Sequence, residues 1–139
     1  MSTILFLCPH GAAKSILAAA YCQRLAAERG LEVRAVAAGT EPDPEVSPAV
    51  ARALLEDGID VRGHRPRRVA PEELTGAWRV ISIGCELGDL APPGLVVERW
   101  DDVPPPSAQL DAARELIAAR LPRLLDEYER AVREPDGSG

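Results

Sequence analysis

The chain has 139 residues, 46% of them hydrophobic, and a formal net charge of −6 at pH 7. That length and apolar content suit one compact domain, assigned to residues 1–133, and leave no room for a second. The acidic balance excludes a general nucleic-acid or anionic-membrane binder, and no apolar run is long enough to span a membrane.

In chain order, the apolar run from Thr3 to Leu7 reads as a buried strand. It ends in Cys8-Pro9-His10-Gly11-Ala12-Ala13-Lys14-Ser15, a tight loop that passes directly into a helix. That helix runs from Ser15 to Arg29, with Ile16, Leu17, Ala20, Tyr21 and Leu25 at helical spacing and Gly30 as the stop. Glu32 to Ala38 reads as the second strand. Ser47 is placed to cap a helix with Pro48 at its first position, which presents Val50, Ala53 and Leu54 to the core before Gly58 ends it. Ile59 to Arg68 is loop-like. Pro71 to Leu74 predicts a short helix, Trp78 to Ile83 a third strand and Leu95 to Arg99 a fourth. Ser107 is expected to cap the last helix, with Leu110, Ala113, Leu116 and Ile117 on one face, and Pro122 to kink or restart it before Arg133. Residues 134–139 read as a disordered tail. The alternation of strands and helices predicts an α/β fold, a doubly wound four-stranded parallel sheet with helices on both faces.

The loop after the first strand carries the chemistry. A cysteine at the base of a strand–loop–helix turn faces several backbone N–H groups and the positive end of the helix dipole, which favour a thiolate and bind oxyanions. Cys8 is therefore the candidate nucleophile, and the backbone of Pro9, His10, Gly11, Ala12, Ala13, Lys14 and Ser15 the candidate oxyanion cradle. Gly11 suits a left-handed turn. Ser15 can start the helix or donate to the Cys8 thiolate; His10 is either an exposed loop histidine or a substrate contact. A nucleotide-binding loop also ends in lysine and serine, but that motif needs glycine where Cys8 and Ala13 stand. Three cysteines, Cys8, Cys22 and Cys85, are too few and too irregularly spaced for a disulfide framework or a zinc site. No metal or organic cofactor is implied, no signal peptide is recognisable, and a reducing cytoplasm is the expected compartment.

The loop resembles the Cys-x5-Arg-Ser signature of low-molecular-weight protein tyrosine phosphatases and of the arsenate reductases that share their fold, with Lys14 in place of arginine. Ala38-Gly39-Thr40, Ser47-Pro48, Gly58-Ile59-Asp60, His64-Arg65, Val80-Ile81-Ser82-Ile83 and Trp100-Asp101-Asp102 follow in the order of that family over nearly the whole chain. The resemblance implies a cysteine-dependent enzyme that acts on a small tetrahedral oxyanion: phosphate, arsenate or a phosphoester.

Three departures from the family pattern bear on the reaction. Lysine supplies a point charge where arginine supplies a two-pronged fork. The family's Asp-Pro acid falls at Val103 or Pro104, so Asp101 or Asp102 must reach in from a shifted loop to serve as acid, and Asp102 is the one expected to do so. Cys85 lies close to the first of the two resolving cysteines of the thioredoxin-coupled reductases, and the second is missing. Cys85 is then either a packed strand-end residue or the partner of Cys8 in a disulfide, with a small thiol or a thioredoxin- or glutaredoxin-like protein as reductant. The competing expectation is a catalytically weak oxyanion-binding module, which Lys14 and the displaced Asp102 favour.

Overall fold

A computed structural model describes residues 2–133 of the chain; the tail assigned to residues 134–139 lies outside the described residues. Strand β1 (Ser2–Cys8) is buried on both faces, as its unbroken apolar run requires. Ile4 and Phe6 point to one layer, Leu5 and Leu7 to the other, and all four are fully buried. Each such side chain stabilises the fold by about 1.5–3 kcal/mol.

Helix α1 (Lys14–Glu28) leads to β2 (Val33–Gly39), and Ser47 with Pro48 starts α2 (Pro48–Glu56). The Ser47 hydroxyl accepts from the Val50 N–H at 3.5 Å, and Val50, Ala53 and Leu54 face inward as the spacing predicts. Helix α3 (Pro71–Gly76) precedes β3 (Arg79–Ser82), and β4 (Glu98–Arg99) precedes α4 (Pro106–Arg133). The strands form one parallel sheet in the order β2-β1-β3-β4. Residues of α1, α2 and α4 pack on the Phe6 face, and Leu74 of α3 on the Leu7 face. The α/β architecture with helices on both faces is the one the alternating pattern predicts.

Three local expectations are corrected. The fourth strand covers only Glu98 and Arg99 instead of Leu95 to Arg99, because Leu95 folds back onto the Pro92 carbonyl and Val96 is exposed. Ser107 does not cap the last helix. A first turn closes on Pro105, whose carbonyl accepts from the N–H groups of Ala108 and Gln109, and the break falls at Gln109 (φ −139°, ψ 63°). Pro122 passes without a break. The chain beyond it is tied to the end of α1 by Arg29, which donates to Asp126 and Glu129 at 2.8 Å each.

Two glycines bring the β1–α1 loop against the end of β2. Gly11 has φ +59°, and a Cβ there would lie 2.9 Å from the Gly39 nitrogen. A Cβ on Gly39 would lie 2.6 Å from the Gly11 nitrogen and 2.9 Å from the Pro9 oxygen. Backbone meets backbone here, and neither side can yield.

From the middle of α1, the Tyr21 hydroxyl donates to Asp57 at 2.5 Å, and Arg114 of α4 pairs with the same carboxylate at 2.9 Å. This contact joins α1, the end of α2 and α4. The Tyr21 hydroxyl and the Arg114 guanidinium hold the Asp57 carboxyl below its ordinary range.

Gly39→Ala should lower the midpoint of urea unfolding by more than the ~1 kcal/mol typical of a point substitution. Gly63→Ala, with nothing within 4 Å of the added Cβ, should leave it nearly unchanged. Because the folded-state pKa of Asp57 is depressed, its contribution is present above the unfolded carboxylate pKa and is lost as pH falls through the folded value. Asp57→Asn should therefore be less stable than the parent near neutral pH, and urea midpoints of the two should converge as pH falls through the depressed folded value.

Candidate active site

Cys8 ends β1 at the foot of the loop, nearly fully buried, with its sulfur 3.1 Å from the Ser15 hydroxyl and 3.4 Å from the Ser15 N–H. Ser15 is itself fully buried. Once Cys8 is ionised, both groups of Ser15 are placed to donate to the sulfur.

The loop owes its orientation to the segment after β2. The Pro9 carbonyl accepts from the Glu41 N–H at 2.8 Å, His10 from Asp43 at 3.0 Å and Ala12 from Ser47 at 2.9 Å. With these carbonyls held by residues 41–47, the N–H groups of His10, Ala12, Ala13 and Lys14 have no protein partner among the described residues. Ala13 offers no capping side chain, so the start of α1 is open as well. Unclaimed N–H groups at a helix N-terminus form an anion-binding cradle.

The expected cradle is corrected at three positions. Pro9 has no N–H, and its contribution is the carbonyl that anchors the loop to Glu41 and Thr40. The Gly11 N–H turns back to the Cys8 carbonyl at 3.3 Å, and that of Ser15 serves the Cys8 sulfur. The remaining donors are those of His10, Ala12, Ala13 and Lys14. The His10 ring faces away from the loop backbone, with Nδ1 3.2 Å from the Glu41 carbonyl and 3.3 Å from Asp43 Oδ1. The side chain of His10 is exposed, which matches the first of the two readings given to it.

Cys85 approaches the loop from β3. The strands β1 and β3 lie side by side, with the Ile83 N–H bonded to the Leu7 carbonyl at 2.6 Å, so the chain leaves both strands toward the same edge. The Thr40 hydroxyl stands between the two cysteine segments, 3.9 Å from the Cys85 sulfur and 3.5 Å from the Pro9 carbonyl. Burial pushes the Cys85 thiol up, and the neighbouring Cys8 adds to the effect. Ser82, fully buried, accepts from the Cys85 N–H at 3.2 Å and donates to the Cys85 carbonyl at 2.6 Å. Ser15 and Ser82 are the only fully buried polar residues among those described, and each binds a cysteine. Cys22 faces the core, where burial pushes its thiol up to about 12.

Asp102 makes no hydrogen bond to the cradle among the described residues. Arg120 of α4 grips its carboxylate with two bonds at 2.7 and 2.6 Å and holds the carboxyl below its ordinary range. A carboxylate so held is a poor proton donor, which contradicts the acid role expected of it. Asp101 is paired with Arg99 at 2.9 Å, and Val103, one of the two positions where the family's acid falls, is buried. Among the described residues no group of three or more His, Cys, Asp or Glu side chains is arranged to hold a metal ion. Clefts of about 550 and 650 Å³ lie away from the cradle, along α4 near Asp57 and along β2 near His64.

Ser82 and Thr40 escaped the reading of the sequence as site residues. The signal for Ser82 was a lone hydroxyl inside the buried run Val80-Ile81-Ser82-Ile83; for residues 41–47 it was the alternation of prolines that keeps the segment extended.

The model of the family described as low molecular weight phosphotyrosine protein phosphatase matches residues 3–86. A candidate arsenate reductase of Halobacterium salinarum is 29% identical over 128 residues, covering 88% of this chain and 90% of its own. Among solved structures, a thioredoxin-dependent arsenate reductase of Corynebacterium glutamicum is 27% identical with a TM-score of 0.76, and the match covers 94% of this chain and 63% of that one. A protein tyrosine phosphatase of Entamoeba histolytica shares the fold at a TM-score of 0.82 and 16% identity, over 94% of this chain and 97% of that one. From the Cys8 loop and the parallel sheet beneath it to the ordered motifs that follow, this chain belongs to the low molecular weight phosphotyrosine protein phosphatase family, whose relatives include arsenate reductases.

Proposed function

We propose that the chain is an arsenate-reductase-like enzyme in which Cys8 is the nucleophile and the N–H groups of residues 10–14, with the Lys14 ammonium, hold the oxyanion. The observation that carries this reading is the exchange of equipment around the loop: a second thiol, Cys85, stands near Cys8, while the one candidate acid, Asp102, is tied to Arg120. Hydrolysis of a phosphoester needs a proton for its leaving group, a contribution of about 10²–10⁴-fold when an acid is well placed. Arsenate needs less help, because arsenate esters form and exchange readily and a proton from solvent can serve the departing hydroxyl.

The proposed steps balance as follows. The Cys8 thiolate attacks arsenic, an arsenic–oxygen bond breaks, and the departing hydroxyl takes a proton from solvent and leaves as water, with Cys8 bound to As(V). A second thiolate, from Cys85 or a small external thiol, then attacks the Cys8 sulfur. The sulfur–sulfur bond forms, the sulfur–arsenic bond breaks, and its electron pair stays on arsenic, which leaves as arsenite. A small thiol or a thioredoxin- or glutaredoxin-like protein reduces the disulfide. The cytoplasm is the compartment in which these three free cysteines stay reduced between turnovers.

Lys14 favours one rival, a weak binding module, since an ammonium lacks the fork that grips a transferring group. A coupled assay separates the two. Purified protein should consume arsenate and thiol together. Cys8→Ser should abolish turnover, and Cys85→Ser should either block it or make it depend wholly on added small thiol. Asp102→Asn should change the rate less than threefold. Oxyanion binding without arsenite production would establish the binding module, and aryl-phosphate turnover lost in Asp102→Asn would establish a phosphatase.

A further inference from the structure

Thr40, directly after β2, stands between two partners of different kinds. Its hydroxyl is 3.5 Å from the Pro9 carbonyl and 3.9 Å from the Cys85 sulfur, so it touches both the cradle loop and the turn after β3. Its backbone is tied on both sides: the Gly39 N–H and carbonyl are bonded to Arg67 and Val69 at 2.9 Å each, and Arg68 donates to the Thr40 carbonyl at 2.9 Å. What remains able to turn is the hydroxyl hydrogen.

A hydroxyl has one hydrogen to give and lone pairs to receive with. While Cys85 carries its proton, the thiol donates to Thr40 and Thr40 donates to the Pro9 carbonyl. Once Cys85 has lost that proton, its sulfur can only accept. The Ser82 hydroxyl, the other one beside Cys85, spends its hydrogen on the Cys85 carbonyl at 2.6 Å. The Pro9 carbonyl also accepts from the Glu41 N–H at 2.8 Å, so it is not stranded when Thr40 leaves it. A hydrogen bond to an ionised acceptor is roughly twice as strong as one between neutral groups, which sends the hydrogen of Thr40 to the sulfur. Burial, Cys8 and Glu86 oppose a charge on Cys85, and the Thr40 hydroxyl works against them.

We propose that Thr40 is the positioning residue of the second thiol: its hydroxyl bonds the Pro9 carbonyl while Cys85 is protonated and turns to the Cys85 sulfur when that thiol ionises for attack on Cys8. Its part in turnover rests on the reading of Cys85 as the second thiol. In that step the proton of Cys85 goes to solvent and Thr40 keeps its own; the sulfur–sulfur bond forms as the sulfur–arsenic bond breaks, and the electron pair stays on arsenic. The turn of one hydroxyl thus links the state of the second thiol to the loop that holds the oxyanion.

The test is a titration of labelled Cys8→Ser protein followed at the ¹³Cβ of Cys85 and the carbonyl ¹³C of Pro9, which needs neither arsenate nor access of a reagent to a buried sulfur. Thr40→Val, which keeps the shape and loses the hydroxyl, should move the Cys85 midpoint upward by about half a pH unit, a roughly threefold smaller thiolate fraction near neutrality. Thr40→Ser, which keeps the hydroxyl, should leave it near the parent value. In the parent the Pro9 carbonyl should shift with the Cys85 midpoint, and in Thr40→Val it should not. A midpoint equal in Thr40→Val and its parent overturns the proposal, as does one raised equally in Thr40→Ser and Thr40→Val. A Pro9 carbonyl that stays silent through the parent's Cys85 titration overturns it without any change at Thr40. In enzyme with Cys8 intact, Thr40→Val should slow turnover about threefold below the Cys85 midpoint and little above it, whereas a loss equal at every pH would reduce Thr40 to a structural part. A Thr40-dependent midpoint in a protein that does not reduce arsenate would uphold the hydrogen bond and remove only its use in turnover.

Discussion

The site depends on the contact of backbone with backbone between Gly11 and Gly39. At that distance no side chain fits on either residue, and the loop after β1 lies directly on the end of β2. Only from there can residues 41–47 reach the carbonyls of Pro9, His10 and Ala12. Peptide groups are dipoles, so fixing three carbonyls outward turns neighbouring N–H groups toward the space above Cys8. On the proposed reading the cradle is formed before any ligand arrives, and a bound oxyanion need not reorganise it.

On the proposed reading, what surrounds the cradle suits thiol exchange better than proton transfer. The acid loop is stiffened around Trp100, whose ring packs against Phe6 with centroids 5.8 Å apart, and its carboxylates are committed to Arg99 and Arg120. The turn after β3 instead brings the Cys85 thiol to the same edge of the sheet as Cys8. The two buried serines divide the work: Ser15 addresses the sulfur of Cys8, and Ser82 the backbone of Cys85.

Much of this was legible in the sequence, for identifiable reasons. Buried strands and capped helices leave local marks, so β1 follows from its apolar run and α2 from Ser47-Pro48. The left-handed turn at Gly11 follows from the glycine, and its φ is +59°. What escaped was set by partners distant in the chain. Arg120 lies 18 residues beyond Asp102, and nothing local says that the two side chains meet. Gly39 is marked by a neighbour 28 positions earlier, and Thr40 by one 45 positions later. The break at Gln109 in place of Pro122 has the same origin, because Arg29 holds α4 beyond the proline from another helix. Pro9 was misjudged on local chemistry alone: a residue without an N–H can anchor a cradle but cannot donate to it.

The central claim is that the backbone between Cys8 and α1 forms an oxyanion site that is ready before its ligand arrives. Amide ¹⁵N–¹H spectra of Cys8→Ser protein, recorded while phosphate, arsenate or sulfate is added, test it most directly. Saturable shifts of the His10, Ala12, Ala13 and Lys14 amides, with β2 and the 41–47 segment keeping their positions, are the predicted result. Shifts that never saturate, or that fall on the clefts near Asp57 and His64 while the loop stays silent, would contradict it.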